Sequence, residues 1–243
     1  MNVAVVNGNA RHGSTWHCKE LFLEELRKHT DVVVTEFTLP RDMPHFCMGC
    51  FNCFFKGEEH CPHATYMQPI VEALTAADLI VLTSPVYVFD VSGQMKAFLD
   101  HLSYMWMVHR PNPSMFRKIG VTISTTAGGG LSHTTGTMAN SLRFWGARRV
   151  LSFKSAVAAA SWEEVKEKKR VKIQQRMRAL AENAVKSVRR VDKMSVPPIQ
   201  RVMFFAIRSM MKKGGLNPKD QEHWKEQGWL KGKSPFASME AKG

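Results

Sequence analysis

No stretch of this 243-residue chain stays apolar long enough to cross a bilayer. Nor is a secretory leader expected from residues 2–7 (Asn-Val-Ala-Val-Val-Asn), which are too short for one and run straight into a glycine turn. The expected location is therefore cytoplasmic, where clustered cysteines hold metal or do redox chemistry more often than they form disulfides. Internal repeats and low-complexity segments are lacking. So is any spacing that argues for a Ser/His/Asp triad or for paired carboxylates. Acidic residues are scarce, 21 Asp and Glu against 34 Lys and Arg, for a net charge of +13. The imbalance is local. From Ser161 to Gly243 there are 20 basic residues against 9 acidic, whereas the first 160 residues hold 14 and 12. This pattern predicts a core domain with a separate basic appendage, the domain set at residues 1–190 and a basic helical extension at 191–243. With no recognised binding module beside the charge, nucleic acid is not an expected partner.

What is present is a regular alternation of short β-branched runs and longer mixed segments. Strands are predicted at Val3–Val6, Val32–Thr35, Asp78–Thr83, Ile119–Ser124 and Val150–Phe153. Helices are predicted at Ser14–Lys28, Met67–Ala76, Gly93–Leu102, His133–Trp145 and Trp162–Arg190. Apolar strands separated by helices imply an α/β fold, a doubly wound five-stranded parallel sheet in the order 2-1-3-4-5. Past Val196-Pro197-Pro198, residues 200–213 form a basic amphipathic helix with Val202, Met203, Phe204, Phe205, Ile207, Met210 and Met211 on its apolar side. Gly214-Gly215 stops it, and a tail with Asp220, Trp224, Trp229 and Pro235-Phe236 follows.

Three loops should share the C-terminal edge of that sheet. The first, Gly8-Asn9-Ala10-Arg11-His12-Gly13-Ser14-Thr15, joins a strand to a helix and offers backbone amides, hydroxyls and a positive dipole end to an anion. It lacks both the Lys-Ser/Thr ending of a triphosphate loop and the Gly-x-Gly-x-x-Gly of a dinucleotide site, so a phosphate monoester is the better fit. A bland alternative is a plain N-cap at Ser14. The second loop contains Pro85-Val86-Tyr87-Val88-Phe89, an apolar shelf with aromatic flanks. The third, Thr125-Thr126-Ala127-Gly128-Gly129-Gly130, exposes backbone without side chains in the way. Together they outline a slot for a flat heteroaromatic ring with its phosphate in the first loop.

Four of the five cysteines are spaced Cys47-x2-Cys50-x2-Cys53-x7-Cys61. Sulfurs at successive i, i+3 steps can converge on one centre. An iron–sulfur cluster, zinc with His60 or His63 as spare ligands, and free redox-active thiols all remain open on spacing alone. Gly49 and Gly57 lend the loop backbone freedom, and Phe46, Phe51, Phe54 and Phe55 are expected to shield a bound centre. Cys18 reads as a buried structural cysteine, His12 as an anion contact, and His101 and His133 as helix-surface residues.

The phosphate loop, Ser84-Pro85-Val86-Tyr87 and Ser92-Gly93-Gln94-Met95-Lys96-Ala97-Phe98-Leu99-Asp100-His101 resemble the flavodoxin-fold NAD(P)H-dependent FMN reductase family over roughly residues 1–155. The cysteine run further resembles its iron–sulfur flavoprotein branch. The resemblance implies an enzyme, an FMN-dependent NAD(P)H oxidoreductase with Asn9, Arg11, Ser14 and Thr15 at the FMN phosphate. It implies Pro85, Val86, Tyr87, Val88 and Phe89 along the isoalloxazine, and Thr125, Thr126, Gly128, Gly129 and Gly130 closing the remaining side. It also implies a 4Fe–4S cluster on Cys47, Cys50, Cys53 and Cys61, a small-molecule or protein electron acceptor, and a homodimer or homotetramer. The alternatives are a non-catalytic flavodoxin-like carrier and a cluster-free FMN reductase with redox-active thiols. Asn9-Ala10 stands where the family more often has Ser-Pro, and the extension has no counterpart in the short members. That extension reads as an arm that packs on a partner subunit, with peripheral membrane contact through 200–213 as the alternative.

Overall fold

The computed structural model describes residues 1–159 and 161–236. Five strands, β1 (Asn2–Asn7), β2 (Val33–Thr38), β3 (Leu79–Thr83), β4 (Ile119–Thr126) and β5 (Arg149–Ala156), form one sheet in the order β2-β1-β3-β4-β5. Every neighbouring pair is parallel. Alternate residues of the central strands feed two cores. Ala4, Val6, Ile80 and Leu82 pack under α3 (Ala64–Ala76), α4 (Gly93–His101) and α5 (Leu131–Trp145). Val3, Val5, Leu79, Val81, Val121 and Ile123 face α1 (Ser14–Arg27) and α6 (Glu167–Arg189). Continuous β-branched runs are what a strand covered on both faces needs, and β3 throughout and β1 from Val3 onward are accordingly buried.

Differences from the sequence-based boundaries are small within the sheet. They are larger after residue 190. Helix α6 begins at Glu167 rather than Trp162, because Val165 N–H bonds the Trp162 carbonyl in a turn (3.1 Å) and Lys166 is the N-cap. Pro198, at the first position of α7 (Pro198–Lys212), starts that helix where its missing N–H costs nothing. The tail is also helical. Asn217 caps α8 (Pro218–Glu226) by accepting from Asp220 N–H, and a 3-10 turn covers Trp229–Lys231.

These C-terminal elements build a third apolar core. Phe204, Met211, Trp224, Trp229 and Phe236 enclose Phe116 and Met107 from the α4–β4 connection. Phe204 stacks on Trp224 at 4.9 Å between centroids. The expected apolar side of α7 therefore divides: Phe204 and Met211 are buried, while Val202 and Phe205 point outward with Ile199. Among the described residues, no helix is long and apolar enough to cross a membrane.

Candidate functional site

The chain leaves β1 for β2 on one side and returns to β3 on the other, so the crevice beside β1 and β3 is the switch point where ligands bind in such sheets. Gly8 N–H bonds the Thr83 carbonyl at 2.7 Å, stitching the two strand ends together. A Cβ on Gly8 would stand 2.8 Å from that same carbonyl oxygen, which is why glycine begins this loop.

A cavity of about 220 Å³ opens here, and Asn9, Arg11, Ser14, Thr15, Pro85, Val86, Tyr87, Thr125 and Thr126 all line it. The three loops thus converge. Thr15 and Thr125 share a hydroxyl–hydroxyl bond of 2.6 Å, the Asn9 amide donates to the Tyr87 hydroxyl, and Val86 N–H bonds the Thr125 carbonyl at 3.0 Å. Asn7 and Trp16 also line it, as do Val157 and Ala159 from the loop after β5, four residues that sequence reasoning did not place there. Their signal was weak, since strand-end and post-strand residues carry no motif of their own.

Ser14 is not the N-cap of α1. Gly13 is, no side chain caps the helix, and the first turn holds no acidic residue. Among the described residues no side chain caps that turn, and Ser14, Thr15 and Trp16 of it line the cavity, so its positive dipole end suits a phosphate there.

Val88, Phe89, Gly128, Gly129 and Gly130 do not line this cavity. Val88 and Phe89 occupy a tight turn closed by paired bonds between Tyr87 and Asp90 (2.9 and 3.0 Å), with φ of +48° and +64°. Left-handed backbone at non-glycine residues costs roughly 1–2 kcal/mol each, so the surroundings must hold the turn. Asp90 does much of that holding. Burial opposes its ionisation, but Val91 N–H, the Thr137 hydroxyl and His133 together keep its carboxyl below the usual range. The turn lifts Val88 (97% exposed) and Phe89 (69%) into solvent beside the cavity mouth. A Cβ on Gly130 would meet Val86 Cγ1 at 2.7 Å and Phe89 Cα at 2.8 Å, so the third loop approaches the second only because glycine is there.

The cysteine loop occupies a separate place. All five cysteines are free thiols, and Cys47, Cys50, Cys53 and Cys61 line one cavity of about 210 Å³ with His63, His101 and Ser103. Left-handed Gly49 (φ +62°) and Gly57 (φ +118°) wrap the chain around it, and Cys53 rides on the short helix α2 (Asn52–Phe55). Burial pushes the Cys53 thiol up to about 11, with Cys61 and Cys47 adding to the shift; burial also raises Cys61. Four convergent thiols suit an iron–sulfur cube by the chemistry of the donor set.

The shielding expected of the phenylalanines is absent for three of them: Phe46, Phe51 and Phe55 are exposed, and only Phe54 packs inward, against His109. The cysteine cavity and the one lined by the three loops have no lining residue in common. Ser92, whose hydroxyl bonds the Gly8 carbonyl, starts α4 beside the first loop, whereas His101 at the other end of α4 meets the cysteines.

His101 is a correction. It is 5% exposed rather than a surface residue, and its Nε2 lies 2.8 Å from His63 Nδ1. His133 is exposed, His12 stacks on Trp16 at 4.4 Å, and His60 pairs with Glu59. Cys18 is fully buried as expected, and burial pushes its thiol up to about 12.

The extension reaches the cysteine loop through Arg110. Its guanidinium donates to Asp220 Oδ1 (2.8 Å), to Glu58 Oε2 (3.0 Å) and to the Cys53 carbonyl. Asp220 also takes hydrogen bonds from His109 (2.7 Å) and Asn217 (2.6 Å).

A five-stranded parallel sheet in this order, with an uncapped helix start at its switch point, defines a flavodoxin-like protein. Residues 1–162 match the model of the NADPH-dependent FMN reductase family, and the chain belongs to that family. It is an FMN-dependent NAD(P)H oxidoreductase of the flavodoxin-like type. The iron–sulfur flavoprotein of Archaeoglobus fulgidus is 25% identical over 232 residues, covering 94% of this chain and 99% of the relative. That of Methanocaldococcus jannaschii is 30% identical over 125 residues, 51% of this chain and 61% of the relative. In fold, the chain is similar to an oxidoreductase from Corynebacterium diphtheriae, with a TM-score of 0.57 at 17% identity over 80% of this chain and 98% of the other.

Proposed function

We propose that the FMN phosphate sits on the N-terminus of α1 between Arg11, Ser14 and Thr15, with Asn9 beside it. The isoalloxazine then lies between Pro85–Phe89 and Thr125–Gly130. When bound there, FMN would supply hydride acceptance from NAD(P)H and electron release to a small-molecule or protein acceptor, chemistry that belongs to the cofactor. The protein's part is to neutralise the phosphate, hold the ring with two loops and keep one ring edge open. The observation that carries this reading is the uncapped first turn of α1 opening into the cavity.

A carboxylate at Ser14 tests it. Ser14→Asp should weaken FMN binding by about 100-fold or more, because two anions would compete for one dipole end. The same change should leave the flavin-free protein as stable or stabilise it by about 0.3–1 kcal/mol, since acids suit a helix start. Unchanged affinity in a fluorescence titration would remove the phosphate from α1.

The four cysteines are proposed to hold a 4Fe–4S cluster serving one-electron steps, a reading supported by the names of the two archaeal relatives and by the convergent thiols. The cluster-free alternative, with Cys47 and Cys50 as redox-active thiols, is favoured by their exposure. Anaerobic purification with iron and sulfide analysis decides between them: four iron and four sulfide per chain are expected, and thiols that alkylate freely in an iron-free protein would mean the alternative. We further infer a cytoplasmic homodimer or homotetramer. The outer face of α7, with Ile199, Val202 and Phe205 exposed beside Lys212 and Lys213, suits peripheral contact with an anionic membrane.

A further inference from the structure

Three donors stand closer together than any four-thiolate set requires. One ligand atom each from Cys61, His63 and His101 lies within 4.8 Å of the others. His101 is buried on α4, and its Nδ1 is 2.7 Å from the Ala97 carbonyl. A carbonyl only accepts, so Nδ1 carries the ring proton and Nε2 presents its lone pair to His63. An imidazole that donates one N–H to a backbone carbonyl while aiming the other nitrogen into a cavity is oriented as metal-bound histidines are. His63 is steadied from its other face by His45, stacked at 4.5 Å and 9°. The cavity these residues line is the one that also reaches the cysteines.

We propose that Cys61, His63 and His101 form a binding site for a zinc-class divalent ion, occupied when the cysteine loop carries no iron. One thiolate and two imidazoles suit zinc, while calcium and magnesium require oxygen donors. In the metal-free molecule His63 Nδ1 donates its proton to His101 Nε2. On binding, the His63 proton moves to its own Nε2, both facing nitrogens bind the ion, and the Cys61 thiol loses its proton to solvent. The fourth position takes water. Because Cys61 also belongs to the proposed cluster set, the two occupancies exclude each other, and this inference rests on that reading only for the exclusion.

The test uses the full FMN-loaded chain, freed of iron by chelation and titrated with zinc against a chromophoric indicator. Cobalt(II) serves as the spectroscopic substitute. One ion per chain is expected, with tetrahedral cobalt bands and a single-thiolate charge-transfer band. Cys61→Ser and the partly exposed His63→Ala should each weaken binding by about 100-fold or more, and the buried His101→Asn should do the same. The double variant Cys47→Ser/Cys50→Ser should stay within about 3-fold of the parent. Retained flavin absorbance shows that each variant is folded. Loss of zinc in the double variant with retention in His63→Ala would replace this site with an all-thiolate one and overturn the proposal. No stoichiometric zinc would overturn it too, and undiminished zinc binding by the iron-loaded chain would overturn the exclusion. A chain that takes up neither iron nor sulfide would sink the cluster reading and leave the three-donor arms intact.

Discussion

Replacing Asp220 with alanine is expected to destabilise the protein by about 3–5 kcal/mol, the usual consequence of stripping one partner from a buried ion pair. Asp220 is fully buried and holds four hydrogen bonds of the extension at once: to Arg110, to His109, to Asn217 and, through its own N–H, to the Asn217 side chain that caps α8. Without it the Arg110 guanidinium keeps, among the described residues, the half-exposed Glu58 carboxylate as its charged partner. In urea unfolding the midpoint should fall, and the melting temperature should drop by about 6–20 °C for a chain of this size. A second readout is local. Arg110 also donates to the Cys53 carbonyl, so a loosened guanidinium should loosen the cysteine loop and speed alkylation of Cys53 in the iron-free protein. Stability within about 0.5 kcal/mol of the parent would show that the network contributes nothing beyond its surroundings.

Gly130→Ala should cost about 2–5 kcal/mol and weaken FMN binding at the same time. Two effects add. The backbone there has a φ of +89°, which costs a non-glycine residue about 1–2 kcal/mol. The new methyl would also lie 2.8 Å from the Phe89 Cα, a backbone atom that cannot rotate away, and overpacking of this kind costs about 1–3 kcal/mol. Relief requires the 87–90 turn to move, and that turn carries the shelf proposed for the flavin ring. Gly136, within α5 and with nothing within 4 Å of an added Cβ, is the matched control. Its change to alanine should stabilise by about 0.5–1 kcal/mol and leave FMN affinity alone. Equal flavin affinity in Gly130→Ala and the parent would separate the third loop from the flavin site.

The sheet was readable because its signals are local. A run such as Leu79-Ile80-Val81-Leu82-Thr83 has only one comfortable place, a strand covered on both faces, and helices between such runs impose parallel pairing. The strand–loop–helix junction over residues 8–15 was readable for a similar reason, since small and hydroxyl residues mark such a junction locally. The extension resisted. Trp224, Trp229 and Phe236 are scattered among charged residues without a period of 3.6, so nothing local announces the shared core with Phe116. The one legible cue was Asn217-Pro218, a capping residue followed by proline at the first helical position.

His101 shows the same division most sharply. Along α4 it follows Asp100 at the end of a mixed helix, and a solvent-facing position was the sensible expectation. Its burial comes from the start of α3 and the cysteine loop closing over it, with His63 arriving from 38 residues upstream. The amino-acid order alone determined the doubly wound sheet, because its strand and helix signals depend on residues adjacent in the chain. Tertiary structure alone decided that the sulfurs lie at the far end of α4 from the Gly8 loop, that two histidines join Cys61, and that a buried Asp220–Arg110 pair ties the extension to the cysteine loop. Those contacts bridge long separations in sequence, where burial and hydrogen-bond geometry act and periodicity carries no signal.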